Sequence, residues 1–326
     1  MISVEKPLAA WKGKETYEGE AIDTLTVIFR SGGCAWNRCR MCGYRHERYR
    51  DLAAEELSDR MRRQVAWVQA NYRDDEYRML KIFTSGSFFD PAEVPPDVRD
   101  TVASAFAGKL IIAETRPEYI SSDAVAGFIA GIDDGSWDQP LYVAMGLETT
   151  DNEIREKCID KGFAFQDFID AAGRARQGGA GVKTYLMMKP PFLTEKEAID
   201  DMHRSIAEAA PYSDMISMNL CTVQSRTDVE RYWKSHAYRP PYLWSVLEVL
   251  LAAQPHVMCD PVGGGTVRGP HNCGSCDRMI LDAIRDYSLT GDRSLLRAIA
   301  ETDCACKKEW EFVCAREKPY CMPLTR

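Results

Sequence analysis

The residues best equipped for chemistry in this 326-residue chain are its twelve cysteines, and spacing sorts them into groups. Cys34, Cys39 and Cys42 share one short loop, CAWNRCRMC, separated by four residues and then two. Thiolates are the ordinary ligands of iron-sulfur clusters, and three in one loop would leave the fourth iron of a cubane open to a small chelating molecule. The competing reading is a zinc knuckle formed by the same thiols and His46. A position directly after a strand, beside other polar strand ends, favours the cluster. The second group pairs Cys273 and Cys276 with Cys304 and Cys306. Four thiolates close the tetrahedral shell of a structural zinc ion and staple a small loop-rich subdomain, although an auxiliary iron-sulfur cluster takes the same ligands. Cys314 and Cys321 could replace a member of this set, and His271 is one more possible ligand. Cys158, Cys221 and Cys259 read as small apolar side chains.

The elements that must position these groups alternate. Runs rich in β-branched and aromatic residues predict six strands, over 23–30, 79–85, 109–114, 141–148, 182–189 and 215–221. Amphipathic stretches predict crossover helices near 52–72, 92–106, 119–131, 152–177 and 194–210. Repeated strand-helix units of this kind predict an α/β fold, a partial (β/α)6 barrel of TIM type, whose C-terminal strand ends gather the functional loops. After the barrel the pattern turns to helices and a Gly-rich, cysteine-bearing tail. The division expected is an N-terminal extension over 1–21, the barrel over 22–254 and a cysteine-rich metal-binding subdomain over 255–326.

Each expected strand ends in a polar or Gly-containing segment, so all six fall on one rim. The second carries Ser85, Gly86 and Ser87, the third Glu114 and Arg116, and the fourth Glu148. Glu114 and Glu148 can accept hydroxyl or ammonium groups of a bound molecule, or cap the helices that follow, where Thr115, Thr149 and Thr150 offer the same capping chemistry. The planar fork of Arg116 suits a carboxylate; otherwise it is a surface residue before Pro117. Lys189, Asn219 and Gln224 end or follow the fifth and sixth strands, where a substrate is expected. The two amides offer donors and acceptors together, as a base edge would require, or tie down their own loops. Trp36, Tyr44, Trp233 and Trp244 could stack a splayed base or serve as core.

Composition narrows the partners. A formal charge of −8 argues against a protein whose main task is gripping a phosphate backbone. The run from Arg38 to Arg50, with five arginines and a histidine, could still form one positive rim, or a solvated loop. No apolar stretch is long enough to span a membrane, and MISVEKPLAAWKGKE lacks the regions of a signal peptide, so a cytoplasmic location is expected.

The CAWNRCRMC loop resembles that of the radical S-adenosylmethionine superfamily, whose usual spacers are three residues and then two; here the first is longer by one. ETRPEYI (114–120) and GLETTDNEIREKCIDKGF (146–163) are similar to the branch around the catalytic subunit of Elongator. With PHNCGSCD near the end, the stretch from 22 to 310 most resembles the archaeosine-forming radical lyases of archaea. The resemblance implies a [4Fe-4S] cluster on Cys34, Cys39 and Cys42 with S-adenosylmethionine on its open iron. Met41 would contact the adenine, and Ser85, Gly86 and Ser87 would stand where the superfamily's Gly-Gly-Glu segment receives the methionyl amino group, without its acidic residue. Glu114, Arg116 and Glu148 would complete the cofactor site. The reaction implied is cleavage of a carbon-nitrogen bond in a lysine-adducted 7-deazaguanine base of tRNA, started by a 5′-deoxyadenosyl radical. Its partners would be that tRNA, the lysine-transferring archaeosine synthase subunit and an electron donor. The alternatives are another Elongator-like radical reaction on tRNA, or a non-catalytic iron-sulfur or zinc subunit of a tRNA-modification complex.

Overall fold

A computed structural model describes residues 5–318. Six runs of β-branched and aromatic residues form strands at the expected places: β2 (Glu20–Ile28), β3 (Met79–Phe83), β4 (Leu110–Glu114), β5 (Leu141–Glu148), β6 (Gly181–Met188) and β7 (Met215–Leu220). Two further strands flank them, β1 (Ala9–Tyr17) and the short β8 (Val257–Met258). All eight follow chain order in a single sheet, β1 antiparallel to β2 and every later pair parallel. Strand β1 lies where only an extension was expected. It forms because Glu18 and Gly19, both at positive φ, make a two-residue turn that folds it back on β2, Tyr17 opposite Glu20.

Helices α1 (Ala54–Asn71), α2 (Pro96–Ala105), α3 (Ser122–Ile132), α4 (Phe165–Gln177) and α5 (Glu195–Ala209) cross over between successive parallel strands. Two more, α6 (Asp228–Lys234) and α7 (Leu243–Ala252), lie between β7 and β8. Strand periodicity separates two apolar layers. Leu25, Val27, Leu80, Ile82, Ile111 and Ala113 face outward into the core under the helices. Their neighbours Met79, Leu110, Ile112, Tyr142 and Tyr185 face the interior of the curl. Beyond β8, α8 (Asp277–Thr290) packs on β1 and β2, followed by α9 (Ser294–Ala300) and α10 (Ala305–Arg316).

The helix expected over 152–177 is two pieces. A wide turn over Ile154–Ile159 ends at Asp160, with φ 59°, and α4 starts only at Phe165. Between them Gly162, at φ 78°, meets the Trp36 ring so closely that a Cβ would lie 2.3 Å from it. The break lets the tryptophan of the cysteine loop seat against the strand-five side of the rim.

Candidate functional site at the barrel rim

The cysteine loop leaves β2 and is pinned from three sides. Gly32 N–H donates to Glu93 O at 3.0 Å, Arg40 N–H to Ile159 O at 2.9 Å, and Gly43 N–H to the side-chain Oε1 of Gln224 at 2.6 Å. Trp36 Nε1–H donates to Asp160 O at 2.6 Å. Cys39 is buried and Cys34 and Cys42 are half-buried. Burial pushes the Cys39 thiol up to about 12 against the nearby Lys161, and it raises Cys42 too, although the backbone N–H groups of Tyr44 and Arg45 donate to that sulfur. Such thiols are held neutral until a cation binds, when they become strong ligands.

The TSGSF turn lies directly against this loop. A Cβ on Gly86 would lie 2.5 Å from Cys34 Cβ and 2.7 Å from its Sγ, so only glycine allows the approach. An acidic side chain from further along the chain braces this turn. Glu93, fully buried, accepts from Ser31 Oγ at 2.7 Å and from the backbone N–H groups of Gly86 and Ser87 at 2.8 Å each. Ser87 Oγ accepts in turn from Arg116 N–H at 3.2 Å. The hydroxyls of Ser85 and Thr115 are buried with no hydrogen-bond partner among the described residues.

Of the rim charges, Glu148, at φ 66°, accepts from Lys161 Nζ at 2.5 Å. That carboxylate, its largest favourable partner, keeps the Lys161 ammonium charged despite burial. Burial pushes the Glu114 carboxyl up to about 7, with Lys161 opposing and Glu148 adding to the shift. Arg116 is buried and already engaged, donating to Glu118 at 2.6 Å and to Lys161 O at 2.9 Å between the rings of Trp36 and Phe163.

The inner face of the curl lines a half-open cavity of about 600 Å³. Its walls bring together Met41 and Tyr44 from the cysteine loop, Glu114 from β4, Asn219 from β7 and Gln224. Lys189 is not among them. It turns away, at φ 56°, into an ion pair with Glu195 at 2.6 Å in which both side chains are almost wholly buried. Glu195 also accepts from Tyr242 N–H at 2.8 Å and Ser245 Oγ at 2.5 Å, so Lys189 belongs to a packed network behind the rim. Trp233 and Lys189 both line a separate hollow of about 290 Å³. Trp244 is buried and donates to Cys306 Sγ at 3.2 Å. The residues that spacing alone did not reveal are Glu93, Lys161 and Glu195. Each is an ordinary charged residue in its own segment, and its partner is distant in the chain or on the next element.

The four tail cysteines converge. Cys273 and Cys276 precede α8, Cys304 and Cys306 open α10, and their sulfurs all lie within 4.8 Å of one another. Measured separations are 3.8 Å for 273–276 and 273–304, 3.6 Å for 276–306 and 3.3 Å for 304–306. The N–H groups of Cys276 and Ser275 hold the Cys273 thiol down at about 6, and Asn272 Nδ2 approaches Cys276 Sγ at 3.5 Å. This cluster can bind a metal. Cys321 lies outside the described residues, and Cys314 does not join the set.

No family model matches the chain. It is 42% identical over 322 residues to the archaeosine synthase subunit beta of Methanosarcina acetivorans, covering 94% of this chain and 90% of that protein. The Thermococcus kodakarensis protein of the same name is 34% identical over 329 residues, covering 93% and 95%. Among solved structures, methylornithine synthase (PylB) superimposes with a TM-score of 0.50 at 17% identity, over 72% of this chain and 63% of that one, a likeness of fold. No helix among the described residues is long and apolar enough to cross a membrane.

Proposed function

Since the chain belongs to the archaeosine synthase subunit beta family, we propose that it is the radical S-adenosylmethionine lyase of that tRNA-modifying enzyme, breaking the carbon-nitrogen bond of a lysine-adducted 7-deazaguanine base to leave archaeosine. The observation that carries this reading is the cavity of about 600 Å³ whose walls include Met41 and Tyr44 of the cysteine loop. A substrate group held there meets Met41 and Tyr44, which bracket Cys42 in the chain.

The donor set fits the cofactors. Three thiols on one loop, with no fourth from the same loop, suit a [4Fe-4S] cluster with one free iron. The unpartnered Ser85 and Thr115 hydroxyls and the close approach at Gly86 suit a polar ligand lodged between loop and TSGSF turn. Cys34, Cys39 and Cys42 would hold the cluster, and Met41, Ser85, Gly86, Ser87, Glu114, Arg116 and Glu148 would surround S-adenosylmethionine. Bound together, these groups supply hydrogen-atom abstraction from carbon, which the substrate requires because the methylene beside the amidine nitrogen is too weak an acid for any side-chain base at neutral pH.

The chain's own residues do the positioning. Asn219 and Gln224 present amide donors and acceptors to the base edge, and Gln224 at the same time fixes Gly43 of the cysteine loop, coupling substrate and cofactor sides. Glu93 holds the TSGSF turn through two backbone N–H groups without itself facing the cavity. Lys189 serves as a positioning residue: its pair with Glu195 sets the end of β6.

For the tail the proposed metal is zinc. A zinc-thiolate bond of about 2.3 Å makes the edge of a tetrahedron about 3.8 Å. Four of the sulfur separations run from 3.3 to 3.8 Å and all lie within 4.8 Å, close to that edge, whereas a four-iron cubane spreads its thiolates over the outer corners of a much wider body. The lysine-transferring subunit is the expected partner, and the net charge of −8 suggests that it contributes much of the tRNA grip.

The test is an anaerobic reaction with reductant, S-adenosylmethionine and tRNA carrying the lysine adduct. Archaeosine and 5′-deoxyadenosine should form together. Persistence of the adduct while 5′-deoxyadenosine accumulates would overturn the substrate assignment.

A further inference from the structure

The cavity under the rim ends on a group of charges that bond cleavage at the rim does not use. Strand β1 brings Glu15, β3 brings Lys81 and β6 brings Lys183 to one level of the barrel interior. Glu15 Oε2 accepts from Lys81 Nζ at 2.7 Å and from Lys183 Nζ at 3.3 Å. Burial alone would raise the Glu15 carboxyl, but Lys183 and Lys81 together outweigh it and hold it at about 2, so it is an anion at neutral pH. The Lys183 side chain is 1% exposed, whereas Lys81, at 21%, opens into the cavity beside Glu15.

One carboxylate faces two ammonium groups. Desolvating an ion costs several kcal/mol, so a buried excess of positive charge calls for a further anion. Burial accordingly pushes Lys183 down to about 8 against the pull of Glu15. A second observation points the same way. Tyr185 lies two residues beyond Lys183 on β6, on the same face, and lines the same cavity. Its hydroxyl is buried without a hydrogen-bond partner among the described residues, although a buried phenol ordinarily finds one. An uncompensated ammonium and an unused hydroxyl donor at the floor of one cavity are what a carboxylate needs.

We infer that the floor of the barrel cavity is a subsite for the carboxylate of an α-amino acid carried on the substrate, held by Lys81 Nζ and Tyr185 Oη. The inference rests on the reaction proposed above, in which lysine is joined through its side-chain nitrogen and its α-carboxylate is the free end. Lys81 lies two residues below Phe83, the last residue of β3, which places it about 7 Å beneath the rim, a depth a lysine side chain spans. The subsite therefore acts as a ruler: with the carboxylate on the floor, the methylene next to the base is left at the level of the cysteine loop.

The experiment measures equilibrium binding without reductant, so that no turnover occurs, of two tRNAs that carry either the lysine adduct or its 1,5-diaminopentane counterpart, which lacks only the carboxylate. The whole chain should bind the lysine adduct about tenfold more tightly. Lys81→Met and Tyr185→Phe should each bring that ratio close to one while leaving affinity for the diaminopentane adduct within about twofold, which also shows that the variants are folded. A ratio near one in the unmodified chain, or a ratio unchanged in both variants, would overturn the subsite. Cleavage of both adducts with equal affinity would remove the subsite and leave the reaction standing. Discrimination without cleavage under reducing conditions would do the reverse.

Discussion

The two thiol groups differ in what surrounds them. Cys34, Cys39 and Cys42 sit on a loop of irregular backbone, pinned by bonds to three different crossover segments, beside hydroxyls with no partners and above a cavity. The tail cysteines sit at the starts of two helices, their sulfurs all within 4.8 Å of one another, with side-chain donors from Trp244 and Asn272 on two of them. One site leaves room for something to enter. The other has its full set of ligands and an outer shell that orients them. The difference teaches that thiol count alone separates little; on the proposed reading, openness of the coordination shell separates a reactive centre from a staple.

The sharpest way to break the comparison is to remove one ligand from each. Cys34→Ala should eliminate the iron and sulfide of the loop, about four of each per chain, together with 5′-deoxyadenosine formation, and leave the tail metal in place. Metal and sulfide analysis of anaerobically purified protein reads both at once; loss of the tail metal as well would show the two sites to be one folding unit. Cys276→Ser should do the opposite. It should release the tail metal and lower unfolding stability by at least about 4 kcal/mol, measured in denaturant, while loop iron stays bound in protein kept below its melting point.

A smaller effect tests how far the tail reaches. Trp310 of α10 donates to Ser245 Oγ at 2.8 Å, Ser245 donates to Glu195, and Glu195 holds Lys189 at the end of β6. Lys189→Met would strand the Glu195 carboxylate in the interior, at a cost of about 3 kcal/mol. Glu195→Gln in the same chain should restore most of it, because no lone buried charge then remains. Denaturant midpoints of the single and double variants decide this, and a destabilisation that the second change does not relieve would mean the pair is not acting as a buried ion pair.

Much of this architecture is legible in the sequence for a local reason. A strand such as LYVAMGLE or a spacing such as CRMC expresses its preference within a few residues, so six strands, the rim and both thiol groups can be read directly. Strand β1 cannot, because AAWKGKETY is largely polar and becomes a strand only when the Glu18-Gly19 turn folds it onto β2. Lys189 illustrates the same limit at the site. A lysine at a strand end reads as a rim residue, and its burial depends on Glu195, which begins the next helix and faces inward only because Tyr242 and Ser245 of another segment meet it. Glu93, which braces the TSGSF turn, is hidden in the same way, because DPAEVPP carries no mark of it.

The finest distinction between the two regions is in their protons. The side-chain donors on the tail sulfurs are the neutral N–H groups of Trp244 and Asn272, whereas the loop's cavity contains Glu114, whose carboxyl burial raises from 4.5 to about 7 while Lys161 opposes the shift. Between those two values the folded chain keeps a proton that the unfolded chain releases, so stability falls as pH rises from 4.5 towards 7 and is level above it. The side chain borders the cavity instead of packed core, so water there screens the charge and the loss should be of the order of 1 kcal/mol. Glu114→Gln cannot titrate and should be more stable than the parent at pH 8 by that amount, with the two chains converging towards pH 4.5. If Glu114 also accepts an ammonium or hydroxyl group of S-adenosylmethionine, the cofactor should bind better above pH 7 than below it, and the glutamine variant should lose that dependence. Parallel stability profiles for the two chains from pH 5 to 8 would show that Glu114 is hydrated like a surface carboxylate, and this distinction between the loop region and the tail would then fall.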